Sequence, residues 1–409
     1  MENFILVLKN RNFLFLWLCE AFSQIAMNML NFILILAVFS LTSSNKSVSG
    51  IILSFTVPAI IFGLLAGVFV DRWNKKMVLF ATNILRFVLT LYLAFVFKNI
   101  ILIYSISFIS SIITQFFIPA ETPMIPLLVE REQLLSANAL FSVAWFGAVL
   151  VAYSLSGPFI LLFGFKNSFL ILSIIFLIAS FFTFFIRNKE IKNVKVGEFD
   201  LKNDIKKTFG IILKINEVYH AFLLLVLVQV LILIVSVLGP GYAKEILKIN
   251  INEFPIFFLT PAVIGMAFGS FIASNFFNNL SRHKVATLGI FIAGVSVILM
   301  PYVNDKYIFH LLFFFKNVYL LKIIFTVTVA FILGFANSLI FIPSNTLIQE
   351  HTGDEIRGKI YGALNSASSL LSIIPVIFAG WFADIFGVGM SLMVIGAIIF
   401  LIGIFRLAL

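Results

Sequence analysis

Long runs of apolar residues, separated by short polar segments, recur along the whole chain. Each run has about the length that a helix needs to cross a hydrocarbon core roughly 30 Å thick. Runs bounded by charged residues, Gly, Pro or Asn predict twelve membrane-spanning helices. They cover residues 13–41, 48–70, 77–97, 100–120, 134–162, 167–186, 217–240, 254–277, 285–303, 320–342, 358–383 and 387–407. The pattern predicts an all-α polytopic membrane protein.

Composition agrees with this interpretation and limits the partners of the chain. Hydrophobic residues make up 61% of the 409 residues and charged residues 11%, whereas about a quarter of a soluble domain is charged. The net charge of +10 comes from bases spread over short loops, without a groove of interleaved aromatic residues. We therefore expect the lipid bilayer, and no nucleic acid, as a partner.

The distribution of Lys and Arg predicts the orientation of the spans. If the N-terminus is inside, the inner segments hold more than twice as many bases as the outer segments. Cytoplasmic loops of membrane proteins carry this excess. The sequence predicts a multi-pass protein of the inner (cytoplasmic) membrane with both termini in the cytoplasm, and we expect a monomer.

One long charged linker lies midway along the chain, between six spans and six spans. It divides the chain into an N-terminal six-helix bundle at 1–186, a cytoplasmic linker at 187–216 and a C-terminal six-helix bundle at 217–409. The triplet Phe-Ile-Pro at 117–119 recurs at 341–343, and further residues match at the same spacing. This register predicts a parallel duplication of the two halves.

A charged turn between the second and third spans is too short to leave the membrane surface. We expect its glycine to let two helices approach closely, and Asn74 to take a left-handed turn conformation. The other residues of this turn are Gly67, Asp71, Arg72, Lys75 and Lys76.

The turn resembles the loop between helices 2 and 3 of the major facilitator superfamily, whose pattern is Gly-x-x-x-Asp-Arg-x-Gly-Arg-Lys. The segment from Pro119 to Leu140, with Ile-Pro-Leu-Leu-Val and Ala-Asn-Ala-Leu inside it, is similar to the macrolide-efflux and enterobactin-exporter branch. The resemblance implies twelve helices in two parallel six-helix halves and secondary transport by alternating access. It also implies that Asp71 and the bases of its loop latch the cytoplasmic side.

The chain departs from the family pattern in several places. Asn74 replaces a glycine, and Met27 stands where this branch often has an acid. The antiporter pattern of helix 5 survives only as Gly157 and Pro158, where we expect a helix kink. In the second half, Gly269 is not followed by the acid of the Asp-Arg loop.

Ionisable and amide side chains share one face of the first span. Glu20, Gln24 and Asn28 are spaced by one helical turn, and Asn31 falls within the same arc. Such groups inside a membrane are costly, so they are functional candidates. Two interpretations stay open: a wall that accepts protons or contacts substrate, or a hydrogen-bonded seam between helices.

Two further charged residues lie within or at the ends of spans. For Arg86 we favour a structural ion pair with Asp71 or Glu121 over contact with substrate. A fixed ion pair between Arg86 and Glu20 is the alternative to Glu20 as a proton carrier. We expect Asp384, near an outer helix end, to be only solvated.

Bulky polar residues in the other spans are candidates for the substrate cavity, because they fit poorly into tightly packed helices. They are Gln115, Trp145 and Asn365.

The sequence carries no signature of an enzyme or of a cofactor site. The single Cys19 excludes an intrachain disulfide, the four His residues show no ligand spacing, and there is no phosphate-binding loop. We expect no metal, no cofactor and no ATP drive.

The leading hypothesis is a secondary transporter, an antiporter that exports amphipathic, drug-like or macrolide-like small molecules in exchange for protons. Export of a lysolipid or siderophore is an alternative within transport. A non-transporting membrane receptor or scaffold is an alternative of another class, although a receptor is expected to keep a sizeable soluble module, which this chain does not have.

Overall fold

In a computed structural model of the chain, residues 2–130, 133–187, 201–276, 281–304 and 318–408 are described, and they form helices joined by short turns. The charged linker residues 188–200 lie outside this part. The helices of the first half are α1 (Glu2–Lys9), α2 (Arg11–Thr42), α3 (Asn45–Arg72), α4 (Lys75–Val96), α5 (Ile100–Glu121), the short α6 (Ile125–Leu128) and α7 (Leu134–Phe185).

The second half repeats the helical pattern after the linker. Short irregular helical turns follow α9, precede α10 and follow α11. Its helices are α8 (Leu201–Lys214), α9 (Asn216–Gly241), α10 (Thr260–Phe276), α11 (Arg282–Leu299), α12 (Val318–His351), α13 (Asp354–Phe386) and α14 (Val388–Ala408).

The prediction of twelve membrane-spanning helices is confirmed. In the described part of the chain, eleven helices are long and apolar enough to cross a membrane. One of them, α7, has 52 residues and is roughly 78 Å long, enough for two crossings. Gly164 separates the two spans of α7, because its φ of 69° and ψ of 170° are not helical. The backbone stays helical through Gly157 and Pro158, so the break lies after the expected kink.

The chain divides into two compact units. The first unit comprises residues 1–41 and 53–199, and the second comprises 42–52 and 200–409. The first turns of α3 therefore belong to the second unit, although the helix continues into the first.

Asp384 holds the start of α3 in the second unit. Its carboxylate accepts hydrogen bonds from the Ser44 hydroxyl and from the backbone N–H groups of Asn45 (2.7 Å) and Lys46 (3.1 Å). A carboxylate at a helix N-terminus satisfies free N–H groups and complements the helix dipole. The expectation that Asp384 is only solvated is wrong.

Asparagine residues begin two helices of the first unit. The Asn74 side chain accepts a hydrogen bond from the Met77 N–H, and Asn99 does the same for Ile101 and Leu102 at the start of α5. Asn74 has a φ of −68°, so it is an extended N-cap and not the left-handed residue that we expected. The capping bond explains why an asparagine serves at this position.

Glycines pack differently in the two units. A Cβ added to Gly67 would meet no described atom within 4 Å, so the expected close helix approach there is wrong. A Cβ at Gly269 in α10 would lie 2.8 Å from the Phe335 carbonyl oxygen of α12. Gly265 and Gly334 make the same two helices cross closely, because a Cβ at either would overlap the backbone of the other helix.

Candidate functional site

Three charged side chains come together in the interior of the first unit. Glu20 of α2 is 3% exposed, Arg86 of α4 is 1% exposed and Glu121 at the end of α5 is 5% exposed. Charged groups are almost never buried this completely unless they have partners. The fold therefore builds a polar cluster from three different helices inside a membrane-spanning bundle.

The two carboxyl groups of this cluster contact each other. Glu20 and Glu121 lie within hydrogen-bonding reach, and Glu20 also accepts a bond of 3.4 Å from the Gln24 amide. The Oε1 atom of Glu121 is buried and meets no donor among the described residues. Ionised carboxylates have only acceptor atoms, so a hydrogen bond between the pair requires a proton. A hydrogen bond between these two carboxyl groups would hold one proton between them.

Arg86 is held by a hydroxyl and by aromatic rings. Its Nη1 donates to the Ser23 hydroxyl at 2.9 Å, and the guanidinium lies 4.7 Å from the Phe117 ring centroid and 5.8 Å from that of Phe176. Cation–π contacts of this kind are strengthened by removal from water.

The direct ion pair predicted between Arg86 and Glu121 is not formed. An ion pair with a distance below 4 Å is present in the second unit, between Arg282 and Glu350. The carboxyls of Glu20 and Glu121 instead pair with each other, and both act on Arg86 through charge at longer range.

A chain of neutral polar groups, which the sequence did not indicate, extends the cluster. The Ser23 hydroxyl donates to Asn83 at 3.0 Å, and the Asn83 amide contacts the Cys19 sulfur at 3.4 Å. Cys19 in turn lies 3.1 Å from the hydroxyl of Thr183. Small polar residues occur in many spans, so nothing in the sequence separates these from ordinary helix-packing residues.

The polar face of α2 is continuous next to the cluster. Gln24 contacts Glu20, and the Asn28 side chain donates to the Gln24 carbonyl at 2.8 Å. Gln24, Asn28 and Asn31 are all half-buried. The face predicted from the spacing is therefore present, with Glu20 at its buried end.

The predicted cavity residues do not join this cluster directly. Gln115 is half-buried on α5 and donates to the Ser111 carbonyl of its own helix at 3.3 Å. Trp145 of α7 is 45% exposed. Asn365 is exposed on α13 and belongs to the second unit.

The bases of the loop after α3 have separate contacts. Lys75 donates to the Val70 carbonyl at the end of α3, and the Lys76 ammonium lies 5.7 Å from the Phe184 ring centroid. Arg72 is exposed. The side chain of Asp71, the acid of the expected latch, lies outside the described residues.

Comparison with known proteins agrees with this architecture. The family described as Major Facilitator Superfamily matches residues 16–376. The chain is 22% identical over 395 residues to the uncharacterized MFS-type transporter YfiS of Bacillus subtilis, covering 92% of this chain and 87% of that protein. It is 23% identical over 402 residues to macrolide efflux protein A of Streptococcus pyogenes, covering 95% and 93%.

A solved structure shows the same fold. The nucleoside transporter NupG superposes with a TM-score of 0.76 at 12% identity, covering 97% of this chain and 98% of that one. The twelve helices, the family match over most of the chain and this structural likeness lead to one conclusion. The chain belongs to the major facilitator superfamily and is a membrane transporter, not an enzyme.

Proposed function

We propose that this chain exports cationic or polar amphipathic small molecules in exchange for protons, by alternating access across the cytoplasmic membrane. The observation that carries the proposal is the contact between the Glu20 and Glu121 carboxyls beside Arg86 in the interior of the first unit. With both carboxyls ionised, the three groups carry one net negative charge. With one shared proton they carry none.

This charge difference provides a physical basis for exchange. Two ionised carboxyls in contact repel each other, and a net charge inside a membrane protein is costly. A proton removes that charge, and a cationic substrate compensates it. Proton and substrate therefore compete for the same negative charge, which is the requirement for antiport.

The substrate class is inferred from the surroundings of the cluster and from one relative. The half-buried amides of Gln24 and Asn28 give a polar face next to apolar helices, which suits an amphipathic molecule. Macrolide efflux protein A, which covers the same length, supports a macrolide-like compound. Lysolipids and siderophores are the alternative substrates, and they are tested in the same experiment.

The experiment is transport in inside-out membrane vesicles whose lumen is more acidic than the bath. The wild-type protein should accumulate labelled substrate, tested with a macrolide, a lysophospholipid and a siderophore. Glu20→Gln should abolish this accumulation, because the remaining carboxyl and Arg86 form a neutral pair that has no proton to release. Substrate counterflow at equal pH should be kept, because the amides of Gln24 and Asn28 still contact the substrate. Glu130→Gln, at an exposed loop position of the same unit, is the matched control.

Two outcomes would contradict the role of Glu20. Accumulation against the gradient by Glu20→Gln would mean that the proton is carried elsewhere or not used. If Glu20→Gln fails to fold and Glu20→Gln with Arg86→Met recovers folding, the carboxyl is structural. Removing one partner of a buried charged group typically costs about 3–5 kcal/mol, so the rescue is measurable.

The orientation is tested separately from transport. In a Cys19→Ser background, a cysteine at position 46 should react with an impermeant reagent added outside intact cells, and one at position 195 should not. The reverse labelling would overturn the proposal that both termini are cytoplasmic.

A further inference from the structure

A groove of about 650 Å³ runs along the first unit from the end of α3 to the middle of α4. Arg72 and Trp73 lie at its mouth, Met77, Ala81 and Leu85 lie along its length, and residues of α5 form the opposite wall. This volume falls within the range of small-molecule sites in proteins. All residues that line the groove belong to the first unit.

The groove has the depth of one membrane leaflet. From Asn74, the N-cap of α4, to Leu85 the helix rises roughly 16 Å, which is about half of a 30 Å hydrocarbon core. Met77 and Leu85 are 59% and 49% exposed. Apolar side chains exposed at this depth of a membrane span contact acyl chains.

The mouth of the groove combines a cation with an aromatic ring. The Trp73 ring stacks on Phe116, with centroids 5.9 Å apart and an interplanar angle of 17°. Tryptophan at this level is typical of the membrane interface. Lys75 donates a hydrogen bond to the end of α3, and Lys76 lies over an aromatic ring of α7. Arg72, by contrast, lines the groove itself. A guanidinium group can donate two parallel hydrogen bonds to two oxygens of one phosphate.

We propose that this groove binds one anionic phospholipid, with its phosphate at Arg72 and one acyl chain along Met77, Ala81 and Leu85. Charge complementarity selects this occupant, because a cationic amphiphile would meet the Arg72 guanidinium and a second copy of the chain would bring another base. The leaflet is the cytoplasmic one if the orientation proposed above holds. The binding site itself does not depend on transport.

The test uses the full-length protein in mild detergent and measures lipid retention by native mass spectrometry. Phosphatidylglycerol and phosphatidylcholine with identical acyl chains are titrated in parallel. The wild-type protein should retain phosphatidylglycerol preferentially. Arg72→Gln should weaken that binding about fivefold, which corresponds to about 1 kcal/mol per base near an anionic lipid, and should remove the preference.

A second variant tests the apolar part of the site. Ala81→Trp fills the groove and should abolish specific retention of both lipids, and Ala81→Leu should reduce it partly. Lys98→Gln, just beyond the other end of α4, and Ile174→Trp, at an exposed position of α7, are matched controls that should bind like the wild type. Unchanged thermal unfolding of each variant shows that it is folded.

The proposal is overturned if Arg72→Gln and Ala81→Trp retain phosphatidylglycerol as the wild type does. It is also overturned if Ala81→Trp converts a dimer into a monomer, because the groove then holds a second copy. Equal retention of both lipids by the wild type would mean only non-specific lipid contact. Since no transported compound is needed, failure here leaves the proposed function untouched.

Discussion

Gly67 and Gly269 are the glycines that the family resemblance places before the Asp-Arg loop of each half, yet their surroundings are opposite. The loop after Gly67 has the acid and the bases of the pattern, but a Cβ at the glycine would meet no described atom within 4 Å. The segment after Gly269 lacks the acid, and the glycine lies against the backbone of α12. The first-half segment carries the charged residues, and the second-half glycine is the one that is closely packed.

The same division appears at Glu121 and Asn345, which correspond in the register that aligns the two Phe-Ile-Pro triplets. Glu121 contacts a second carboxyl and has an oxygen that meets no donor among the described residues. Asn345 accepts a hydrogen bond of 2.8 Å from the Tyr361 hydroxyl and donates to the Phe341 carbonyl. Among the described residues of the second unit, every buried polar side chain is uncharged. The buried acidic residues therefore lie in the first unit, where the proposed proton exchange would take place.

The largest expected effect is that of Glu121→Gln. The variant should lower gradient-driven accumulation to the level measured without a pH gradient, because a single carboxyl beside Arg86 forms a fixed neutral pair and has no shared proton to release. Asn345→Ala, at the corresponding position, should keep accumulation. Equal loss of accumulation in the two variants would contradict the proposal that proton exchange takes place in the first unit.

The next largest effect is expected on the free energy of unfolding, when a closely packed glycine of the second unit is replaced. Gly269→Ala should lower the free energy of unfolding by about 2 kcal/mol, since the Phe335 backbone cannot move away from the new Cβ. Gly67→Ala should be neutral or stabilising by up to about 1 kcal/mol, because alanine favours the helix and meets no neighbour. Unfolding in mixed micelles measures both, and equal losses would argue against the assignment of packing to the second unit.

The helix cap at Asp384 should contribute less. Asp384→Asn removes the charge but keeps an acceptor, so we expect a loss of about 1 kcal/mol from the free energy of unfolding. Asp384→Ala removes both and should cost about 2 kcal/mol. If Asp384→Ala unfolds at the same denaturant concentration as the wild type, the cap does not stabilise the second unit.

The smallest effect is expected for the ion pair between Arg282 and Glu350. The two side chains are 39% and 44% exposed, and exposed pairs are weak and screened by salt. Arg282→Gln should lower the free energy of unfolding by about 0.5 kcal/mol, and the difference should vanish at high salt. A loss as large as that of Gly269→Ala would show that surface charge also supports the second unit.

The sequence alone predicted the helices, because the length of an apolar run is a local property that the bilayer thickness fixes. The break in α7 at Gly164 falls between the predicted spans 134–162 and 167–186. The family resemblance also followed from short segments, such as the loop from Gly67 to Lys76. The polar face of α2 was visible because helical spacing places Glu20 and Gln24 together.

Only the tertiary structure decided which of these residues meet. Glu20 and Glu121 lie in different helices, and no spacing rule relates them. Asp384 caps a helix start 340 residues away in the chain, whereas the sequence suggested a solvated acid. Hydropathy records whether a side chain is inside the membrane, but the partner of a buried polar group is set by how the helices pack. That is why the contact between Glu20 and Glu121 appears only in the folded first unit.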